Sequence, residues 1–489
     1  MSERLDIVLI NPGDKKQIYQ DLGADYSAVE PPFWIAVIAS YLRNKKYNVF
    51  VIDANAENLN PDETAKKVSS LDPRLSAVIV YGSQPSASTQ NMTISGKICN
   101  ALKKNTFAKV AIGGLHPSAL PEKTLKEERV DFVIEGEGPH TLTGLLEVLR
   151  SGTTDFSKVL GLWYRKGKDT FNNPRAAVIS DLDKFLPVAA WDLLPMQKYK
   201  AHNWHCFDHI NERSPYAAIY TSLGCPYNCI FCCINALFGK PGIRYRSPEL
   251  VVEEITLLAK KYGVKNIKIV DELFIFKEEH YMKIVDLLLE KKLDLNFWVY
   301  ARVDTIKQKN LSKMKKAGIN WIALGIESAN PYVRDSAQKR MRVNDIKAVV
   351  VAIQGAGIRV IGNFIFGLPN DTSKTMRQTL DLAKELNCEF VNFYCGMAYP
   401  GSKLYEIALK ENWQTPREWH AFSQHSYETL PLPTKYIRAK EVLKFRDGAF
   451  REYFENPAYL KMLADKFGEN VKNHIEVMAK VKLKRRLLE

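Results

Sequence analysis

Two stretches of this chain alternate short apolar runs with helical patterns, and this alternation constrains the fold more than any other feature. In the first stretch, runs such as DIVLI and AVIVY are nearly continuous in Val, Ile and other apolar residues, and they end in small or polar residues. Strands that are buried on both faces of a parallel sheet have this pattern. The sequence therefore predicts an α/β fold that begins with a Rossmann-like parallel sheet domain over residues 1–145.

Sheets of this kind bind ligands in a crevice at the carboxyl ends of their strands. The chain has no G-x-G-x-x-G pattern there, which argues against a nicotinamide or flavin dinucleotide. Several small or polar residues nevertheless follow the predicted strands, and we expect them to line a binding crevice. They are Pro12, Asp53, Ser83, Gly113, Gly114, Glu135 and Gly136.

The second stretch, over residues 213–430, contains six longer units in which a strand is followed by a helix. Because such connections are right-handed and consecutive strands tend to be neighbours, six units are expected to curl into a (β/α)6 partial TIM barrel. The active site of such a barrel lies at the carboxyl ends of its strands. Residues 146–212, which prolines interrupt, are predicted to be a connector, and residues 431–489 are predicted to be a helical, basic C-terminal region.

Half of the eight cysteines lie in the segment LGCPYNCIFCCIN, directly after the first barrel strand. The chain shows no signal-peptide core and no run of roughly 18 apolar residues, so we expect a cytoplasmic protein without a membrane span. Thiols stay reduced there, and clustered cysteines then indicate metal binding rather than disulfides. Cys225, Cys229 and Cys232 predict a 4Fe-4S cluster with one iron left open for another ligand. The adjacent Cys233 is interpreted as a packed neighbour.

The formal charge of +14 comes from 69 Lys and Arg against 55 Asp and Glu, and most of the excess is dispersed. Only the end of the chain, KVKLKRRLLE, is a dense basic block. We interpret the excess as solvated helix faces with a basic tail. A nucleic-acid-binding iron-sulfur protein is a distant alternative, because no dedicated nucleic-acid motif accompanies the charge.

The pattern Cys-x3-Cys-x-Phe-Cys after a strand that opens a six-unit barrel resembles the radical S-adenosylmethionine (radical SAM) superfamily. Shorter matches occur in order along the barrel: VDEL at 270–273, YARVD at 300–304, GIES at 325–328, FGLP at 366–369 and YPGSKLY at 399–405. The resemblance implies that the three cysteines hold the cluster and that its free iron chelates S-adenosylmethionine. Reductive cleavage then yields methionine and a 5′-deoxyadenosyl radical. The residues implied to contact S-adenosylmethionine are Phe231, beside the adenine, and Arg302, Glu327 and Ser328.

The segments PPFWIAVIASYL, GGLHPSALPE and VDFVIEGEGPHTL are similar to the cobalamin-binding domain that precedes many radical SAM barrels. The resemblance extends from about residue 5 to residue 410. Asn55 stands where other cobalamin domains carry a cobalt-ligating histidine, so the resemblance implies cobalamin without a histidine ligand. His116 is expected to order its own loop or to touch the corrin edge. The other implied cobalamin contacts are Pro12, Ser83, Gln84, Gly113, Gly114, Glu135, Gly136 and Gly138.

These resemblances imply an enzyme that modifies an unactivated carbon of a small-molecule or natural-product substrate, with methyl transfer as the favoured reaction. Cyclisation, ring contraction or another rearrangement without methylation is the alternative. A methylthiotransferase acting on RNA is disfavoured, because such enzymes carry three further cysteines in the N-terminal domain and this one has only Cys99. An electron donor such as flavodoxin or ferredoxin is the implied protein partner.

The sequence leaves the substrate and two groups of residues open. Cys395, at the end of the sixth barrel strand, is a candidate donor of hydrogen or of a proton to a substrate intermediate, or else a small buried apolar residue. Trp298, Tyr300, Phe393 and Tyr394 are candidates to line a pocket for an apolar, ring-bearing or sugar substrate, or else to be core residues.

Overall fold

The N-terminal part of the chain forms one seven-stranded sheet. The computed structural model describes residues 4–82, 84–186, 188–339, 341 and 343–489. The strands are β1 (Ile7–Asn11), β2 (Val49–Asp53), β3 (Leu75–Val80), β4 (Lys109–Gly114), β5 (Phe132–Ile134), β6 (Leu162–Lys166) and β7 (Asp169–Asn172). Their order is β2-β1-β3-β4-β5-β6-β7, and the first five are parallel. The predicted parallel sheet is therefore confirmed.

The strand order reverses between β1 and β3. Ile7 of β1 is in register with Val49 of β2 on one side and with Leu75 of β3 on the other. Chain connections therefore leave this point in opposite directions, and they open a crevice above the carboxyl ends of β1 and β3. This crevice is where a ligand of the domain is expected to bind.

The sheet also includes residues that the sequence places in the connector. Strands β6 and β7 form an antiparallel edge, in which Phe132 of β5 pairs with Tyr164 of β6. Leu162 is the only fully buried residue of this edge, and Arg165 and Lys166 are exposed. Because a short, charged edge strand carries little apolar periodicity, the sequence pattern did not reveal it. The boundaries at residues 145, 212 and 430 stay predictions.

The second sheet is an open half-barrel of six strands. Its strands and a small hairpin at its mouth are β8 (Tyr216–Ile219), β9 (Ser222–Leu223), β10 (Arg244–Tyr245), β11 (Asn266–Ile269), β12 (Asn296–Arg302), β13 (Ile319–Glu327), β14 (Arg359–Phe366) and β15 (Phe390–Cys395). The six barrel strands run parallel in the order β15-β14-β13-β12-β11-β8. The predicted partial barrel is confirmed.

Helices cover both sheets and form the C-terminal region. Those of eight residues or more are Phe33–Asn44, Pro61–Leu71, Met92–Asn105, Pro139–Ser151, Pro248–Tyr262, Glu278–Lys291, Gln308–Lys316, Val343–Gly355, Ser373–Leu386, Lys403–Lys410, Ala439–Phe454, Pro457–Phe467 and Glu469–Ala479. Shorter α-helices are Lys15–Tyr19, Leu22–Asp25, Ala54–Glu57, Pro85–Gln90, Leu115–Ala119, Pro121–Glu127, Leu182–Phe185, Asn235–Phe238 and Pro331–Ser336. The 3-10 turns are Trp191–Leu193, Met196–Lys198, Trp204–Cys206, Val303–Thr305 and Trp419–Phe422. Among the described residues, no helix is long and apolar enough to cross a membrane.

Buried polar contacts hold the N-terminal domain over the mouth of the barrel. Glu137, in the loop after β5, forms an ion pair of 2.8 Å with Arg244 of β10. The indole nitrogen of Trp34 donates to the backbone oxygen of Glu137 at 3.0 Å. Arg175 donates to backbone oxygens of Ala236 and Leu237, just beyond the cysteine loop. The carboxyl ends of both sheets therefore face the same interdomain space.

The basic end of the chain is partly buried, which differs from the solvated tail that its composition suggests. Arg485 is 4% exposed and forms an ion pair with Asp447 of the helix Ala439–Phe454 at 2.8 Å. The backbone nitrogen of Arg486 donates to the oxygen of Tyr427 at 2.9 Å. A carboxylate partner makes this burial possible, and composition alone does not reveal such a partner.

Candidate active site

The loop that carries the predicted cluster cysteines follows β9 and is shaped by backbone contacts. Gly224 has a φ of 93°, and a Cβ at this position would collide with the backbone oxygen of Gly242. The nitrogen of Gly242 in turn donates to the oxygen of Cys225 at 3.0 Å. The nitrogen of Cys232 donates to the oxygen of Cys229 at 3.0 Å, which closes a turn between them. These backbone contacts define the conformation of the loop.

The three cysteines fit a cluster. All are free thiols of intermediate exposure; Cys229 contributes to the raised pKa of Cys225, and both contribute to the raised pKa of Cys232. Burial raises the pKa of Cys225 to about 11, whereas the nearby Arg302 acts in the opposite direction. The described residues contain no group of three His, Cys, Asp or Glu side chains spaced for a single metal ion. A 4Fe-4S cluster binds each thiolate through a different iron. Its thiolate ligands therefore lie further apart than the ligands of a single metal ion.

Cys233 is the most buried of the four clustered cysteines. It is 2% exposed and belongs to the main apolar core. Burial raises the pKa of its thiol to about 12. This position suits the predicted packed neighbour better than a fourth ligand.

Arg302, at the end of β12, lies directly beside the cysteine loop. Its guanidinium makes two hydrogen bonds of 2.9 Å to Asp304 and lies 4.0 Å from the ring centre of Tyr227. It is only 8% exposed and lines the barrel cavity. A cation is therefore held at the cluster end of the cavity, where an anionic ligand group would benefit from it.

Glu327, at the end of β13, is held in a strained backbone. Its φ is 65°, and the strand pairing with β14 shifts between Gly325 and Glu327. Its carboxylate forms an ion pair with Lys339. The Lys339 ammonium occupies the space that a Cβ on Gly325 would fill. Backbone strain of this kind is common at functional sites. Both side chains line the cavity and are under 10% exposed.

The other two predicted S-adenosylmethionine contacts differ in position. Phe231 lines the cavity, and the Lys339 ammonium lies 6.0 Å from its ring centre. Ser328 is fully buried behind the wall, where its hydroxyl lies 3.1 Å from that of Thr379 and accepts from the nitrogen of Asn330. The geometry thus brings Phe231, Arg302 and Glu327 to the cavity, and it gives Ser328 a supporting position.

A cavity of 420 Å³ fills the barrel above these residues. Side chains alternate along each strand, so the inward residues follow at intervals of two. Their series is Trp298, Tyr300 and Arg302 on β12, Gly325 and Glu327 on β13, Asn363 and Ile365 on β14, and Asn392 and Tyr394 on β15. Phe393 points outward and packs against Phe364 and Phe366. Of the four aromatic candidates, three therefore line the cavity and Phe393 is core.

Cys395 also lines the cavity, but it is 4% exposed. Gln424 accepts from its backbone nitrogen at 2.7 Å and donates to its backbone oxygen at 3.2 Å. Burial raises the pKa of the thiol to about 12, so it is protonated near neutrality. Its proposed donor role is compatible with this position and stays a prediction.

The second cavity is the crevice above β1 and β3, with a volume of 140 Å³. Pro12, Asn55, Tyr81 and Gln84 are among the residues that line it. Aromatic rings and amides suit a large planar macrocycle with an amide-bearing rim, which is the chemistry of a corrin. In chemical type, the residues that line the crevice therefore suit the edge of a corrin ring. Ser83 lies outside the described residues.

The remaining predicted cobalamin contacts lie behind this crevice. Gly113 and Gly114 are buried at the end of β4, and Ser118 donates to the oxygen of Gly114. Gly136 donates to Ser118, and Gly138 precedes the helix Pro139–Ser151. Glu135 accepts from the indole of Trp163 at 2.7 Å. None of these five residues lines the crevice as described.

His116 is buried between its neighbours, and its two predicted roles, ordering its loop or touching the corrin edge, stay predictions. It is 1% exposed, and its Nδ1 lies 3.1 Å from the hydroxyl of Thr89. Its ring packs edge-on against Trp419 at 4.4 Å between centres. Burial lowers the pKa of the imidazole to about 3, so the ring is neutral.

The crevice and the barrel cavity share part of their walls. Five residues line both, namely Tyr19, Gln84, Ala87, Gln90 and His202. They come from the N-terminal segment, from the loop and helix after β3, and from the connector. A ligand in the crevice and a ligand at the cysteine loop would therefore meet in one enclosed space.

Several cavity residues were missed by sequence reasoning. Asn363 and Asn392 had a detectable signal, because each is a polar residue at an inward position of an otherwise apolar strand. Lys339 had none, since it follows a short helix and is defined only by its contact with Glu327. His202, Gln424 and His425 come from irregular segments, where no periodicity points to a site.

A cysteine loop at the mouth of a half-barrel, covered by a second parallel sheet domain, defines a two-cofactor metalloenzyme built across a domain boundary. Family models match the same two parts of the chain: "Radical SAM superfamily" matches residues 219–383, and "B12 binding domain" matches residues 19–146. The chain therefore combines a B12-binding domain with a radical SAM domain, which confirms the resemblance stated from the sequence. Its predicted cofactors, a 4Fe-4S cluster, S-adenosylmethionine and cobalamin, are thereby confirmed.

Curated and solved relatives agree with this assignment. The chain is 29% identical over 481 residues to an uncharacterized methyltransferase of Pyrococcus horikoshii, with 98% of each chain covered. It is 25% identical over 452 residues to the anaerobic magnesium-protoporphyrin IX monomethyl ester cyclase of Rubrivivax gelatinosus, covering 91% of this chain and 77% of the cyclase. Among solved structures, the radical SAM methyltransferase TsrM of Kitasatospora setae superimposes with a TM-score of 0.69 at 17% identity, over 93% and 90% of the two chains.

Proposed function

We propose that this enzyme cleaves S-adenosylmethionine reductively and transfers a methyl group to an unactivated carbon of a small-molecule substrate. The observation that carries the proposal is the shared wall of the crevice and the barrel cavity, formed by Tyr19, Gln84, Ala87, Gln90 and His202. Two reagents that must reach one carbon atom need such a common, enclosed space.

The cluster supplies the electron that activates S-adenosylmethionine, and cobalamin supplies a methyl carrier. In our proposal the thiolates of Cys225, Cys229 and Cys232 hold the cluster, while Arg302 and the Glu327–Lys339 pair orient S-adenosylmethionine beside it. Pro12 and Gln84 hold the corrin in the crevice. We further propose that a small redox protein such as flavodoxin or ferredoxin reduces the cluster.

Water exclusion is part of the proposed mechanism, because a carbon-centred radical must not meet other hydrogen donors. Tyr399 helps to close the wall of the barrel cavity. Its hydroxyl donates to the oxygen of Phe422 at 3.1 Å and lies 3.5 Å from Gln90. The Glu137–Arg244 pair keeps the two domains closed over the same space.

The relatives favour methyl transfer over rearrangement. The archaeal relative that matches over the whole length is named a methyltransferase. TsrM, also a methyltransferase, has been solved with its substrate tryptophan, a small molecule. The cyclase relative supports the alternative, a cyclisation without methylation. Product accounting separates the two reactions, since only methylation consumes a second S-adenosylmethionine and releases S-adenosylhomocysteine.

A half-reaction tests methyl transfer without a known substrate. Anaerobically reconstituted protein with hydroxocobalamin is reduced with titanium(III) citrate and given S-adenosylmethionine carrying a ¹³C methyl group. We expect one S-adenosylhomocysteine per cobalamin, with the label in the corrinoid fraction. The sulfur keeps the bonding electron pair, and the reduced corrinoid provides the two electrons for the new bond.

The triple alanine variant of Cys225, Cys229 and Cys232 is the matched control. It should release no 5′-deoxyadenosine, because reductive cleavage needs the cluster, and it should form less S-adenosylhomocysteine, because S-adenosylmethionine loses its anchor on the open iron. If the unaltered protein released 5′-deoxyadenosine yet left the label on S-adenosylmethionine, methyl transfer would be rejected in favour of the rearrangement alternative.

A further inference from the structure

Two asparagines in the barrel cavity have amide orientations that their hydrogen bonds fix. Asn363 lies 3.2 Å from the backbone oxygen of Leu324, which can only accept, so its Nδ2 must face that oxygen. Its Oδ1 therefore faces Asn392, whose Nδ2 donates to it at 2.9 Å. The Oδ1 of Asn392 accepts no hydrogen bond from the described residues and lies at the cavity wall. The cavity thus presents a hydrogen-bond acceptor of fixed direction.

Aromatic side chains flank this acceptor. Tyr394 is two residues further along the same strand, and its pKa is raised by burial and by the neighbouring Tyr300 and Tyr19, which places these three hydroxyl groups around one space. Trp298 also lines the barrel cavity, and its ring centre lies 5.3 Å from that of Tyr300. Ring faces of this kind favour planar, apolar ligand parts.

This end of the cavity carries no unpaired charge among the described residues. Burial lowers the pKa of His202 to about 4 and that of His425 well below its usual value, so both rings are neutral. His425 accepts from Arg446, whose charge is balanced by Asp447 at 3.0 Å. The charged residues Arg302, Glu327 and Lys339 lie at the cysteine end and are paired with one another or with Asp304. Glu272 also lines the cavity, and burial raises the pKa of its carboxyl to about 8, so its neutral form is favoured near neutrality. An anionic substrate would therefore lose its hydration without gaining a counter-charge.

We propose that the substrate of this enzyme is an uncharged molecule with a planar ring and an N–H or O–H group, which donates to Oδ1 of Asn392. This inference rests on the proposed function and adds the substrate class. Asn363 acts as a positioning residue, because it sets the direction of the Asn392 amide without touching the ligand.

Three ring-matched probes test the proposal by equilibrium dialysis against the reconstituted protein loaded with S-adenosylmethionine and hydroxocobalamin. The probes are 2-naphthol, which has a donor, naphthalene, which has none, and 2-naphthoate, which is anionic. We expect 2-naphthol to bind about fivefold more tightly than naphthalene, the factor that one neutral hydrogen bond provides. We expect 2-naphthoate to bind at least about tenfold more weakly than 2-naphthol, because a buried carboxylate would be unpaired.

Two variants locate the effect. Asn392→Leu should bring the affinity for 2-naphthol down to that for naphthalene while leaving naphthalene binding unchanged, and this second measurement controls for an intact pocket. Asn363→Leu should reduce the preference for 2-naphthol partially, because the Asn392 amide can then rotate. An equal affinity for 2-naphthol and naphthalene, a preference that survives in Asn392→Leu, or tight binding of 2-naphthoate would each overturn the inference. The methyl-transfer half-reaction requires no substrate, so its outcome separates failure of the proposed function from failure of this inference.

Discussion

The hydroxyl of Tyr199 donates to Oδ2 of Asp53 across 2.8 Å and links the connector to the end of β2. The other oxygen, Oδ1, accepts from Asn11 at 2.8 Å and from the backbone nitrogen of Ala56 at 3.0 Å. Asp53 is fully buried, and its bond from Ala56 caps the short helix Ala54–Glu57, which carries Asn55. The floor of the cobalamin crevice is therefore held by a residue that lies nearly 150 positions away in the chain.

Replacing Tyr199 by Phe should loosen this floor. The variant leaves a buried carboxylate oxygen without its donor, so we expect the free energy of unfolding to fall by about 1–3 kcal/mol. The amount of hydroxocobalamin that stays bound through gel filtration should also decrease, because the helix that carries Asn55 is less well fixed. Urea denaturation and corrinoid absorbance measure the two effects. Tyr436→Phe is the control, since Tyr436 is 63% exposed and should change neither quantity.

The stability of the protein should fall steeply in mild acid. Burial lowers the pKa of both His116 and His205 to about 3, whereas an unfolded histidine titrates near 6.5. Below pH 6.5 the unfolded chain therefore takes up protons that the folded chain refuses, down to about pH 3. Each ring lowers the free energy of unfolding by about 1.4 kcal/mol per pH unit in this window.

Urea denaturation at pH 7.5 and pH 5.0 measures this effect. We expect the two rings together to account for a loss of about 4 kcal/mol between these pH values, as an upper limit. His205→Gln should make the pH dependence shallower, whereas His209→Gln should not, because His209 is exposed. A dependence that is unchanged in His205→Gln would contradict the assignment.

The Glu137–Arg244 pair should control how firmly the domains stay together. Glu137 and Arg244 are 5% and 18% exposed in their side chains, so Glu137→Gln leaves a largely buried guanidinium unpaired. Loss of one partner of such a pair costs about 3–5 kcal/mol. Hydrogen exchange should then increase around β10 and in the loop after β5. Glu406→Gln breaks an exposed pair with Lys403 and should leave exchange unaltered.

Iron binding should depend on three cysteines and not on the fourth. Alanine at Cys225, Cys229 or Cys232 removes a thiolate ligand, so we expect loss of the visible charge-transfer absorption and of most of the roughly four irons. Cys233→Ala should keep both, because its thiol lies in the core. Iron analysis after anaerobic reconstitution decides this. Loss of iron in Cys233→Ala alone would show that the ligand set was assigned incorrectly.

Bound Co(II) cobalamin should show no axial nitrogen ligand. Asn55 lines the crevice, where the resemblance places it at the position of the ligating histidine, and His116 is buried against Trp419 and Thr89. The resemblance also implies that the nucleotide base of cobalamin is detached from cobalt, so we expect a paramagnetic resonance spectrum without the threefold splitting that one axial nitrogen produces. His116→Ala should give the same spectrum as the unaltered protein. A threefold splitting that disappears in this variant would identify His116 as a cobalt ligand.

The sequence predicts the two sheets and the cysteine loop better than the contacts between residues that line the cavities. Continuous apolar runs such as Ile7–Asn11 revealed the parallel sheets, because burial on both faces leaves no choice of residue type. The spacing of Cys225, Cys229 and Cys232 revealed the metal loop. Contacts such as Lys339 with Glu327, or Gln424 with Cys395, join residues that no local pattern relates. Such pairs depend on how distant segments pack, which periodicity does not encode.

The wall shared by the two cavities has a consequence for exchanging domains between relatives. Tyr19 and Gln84 belong to the N-terminal domain, His202 to the connector and Asn392 to the barrel, so neither domain carries a complete substrate surface. Replacing one domain by that of a relative would change only part of the substrate-contacting surface and leave the part from the other domain unchanged. We therefore expect a chimera to accept new substrates only when the cavity-lining residues of both domains are redesigned together.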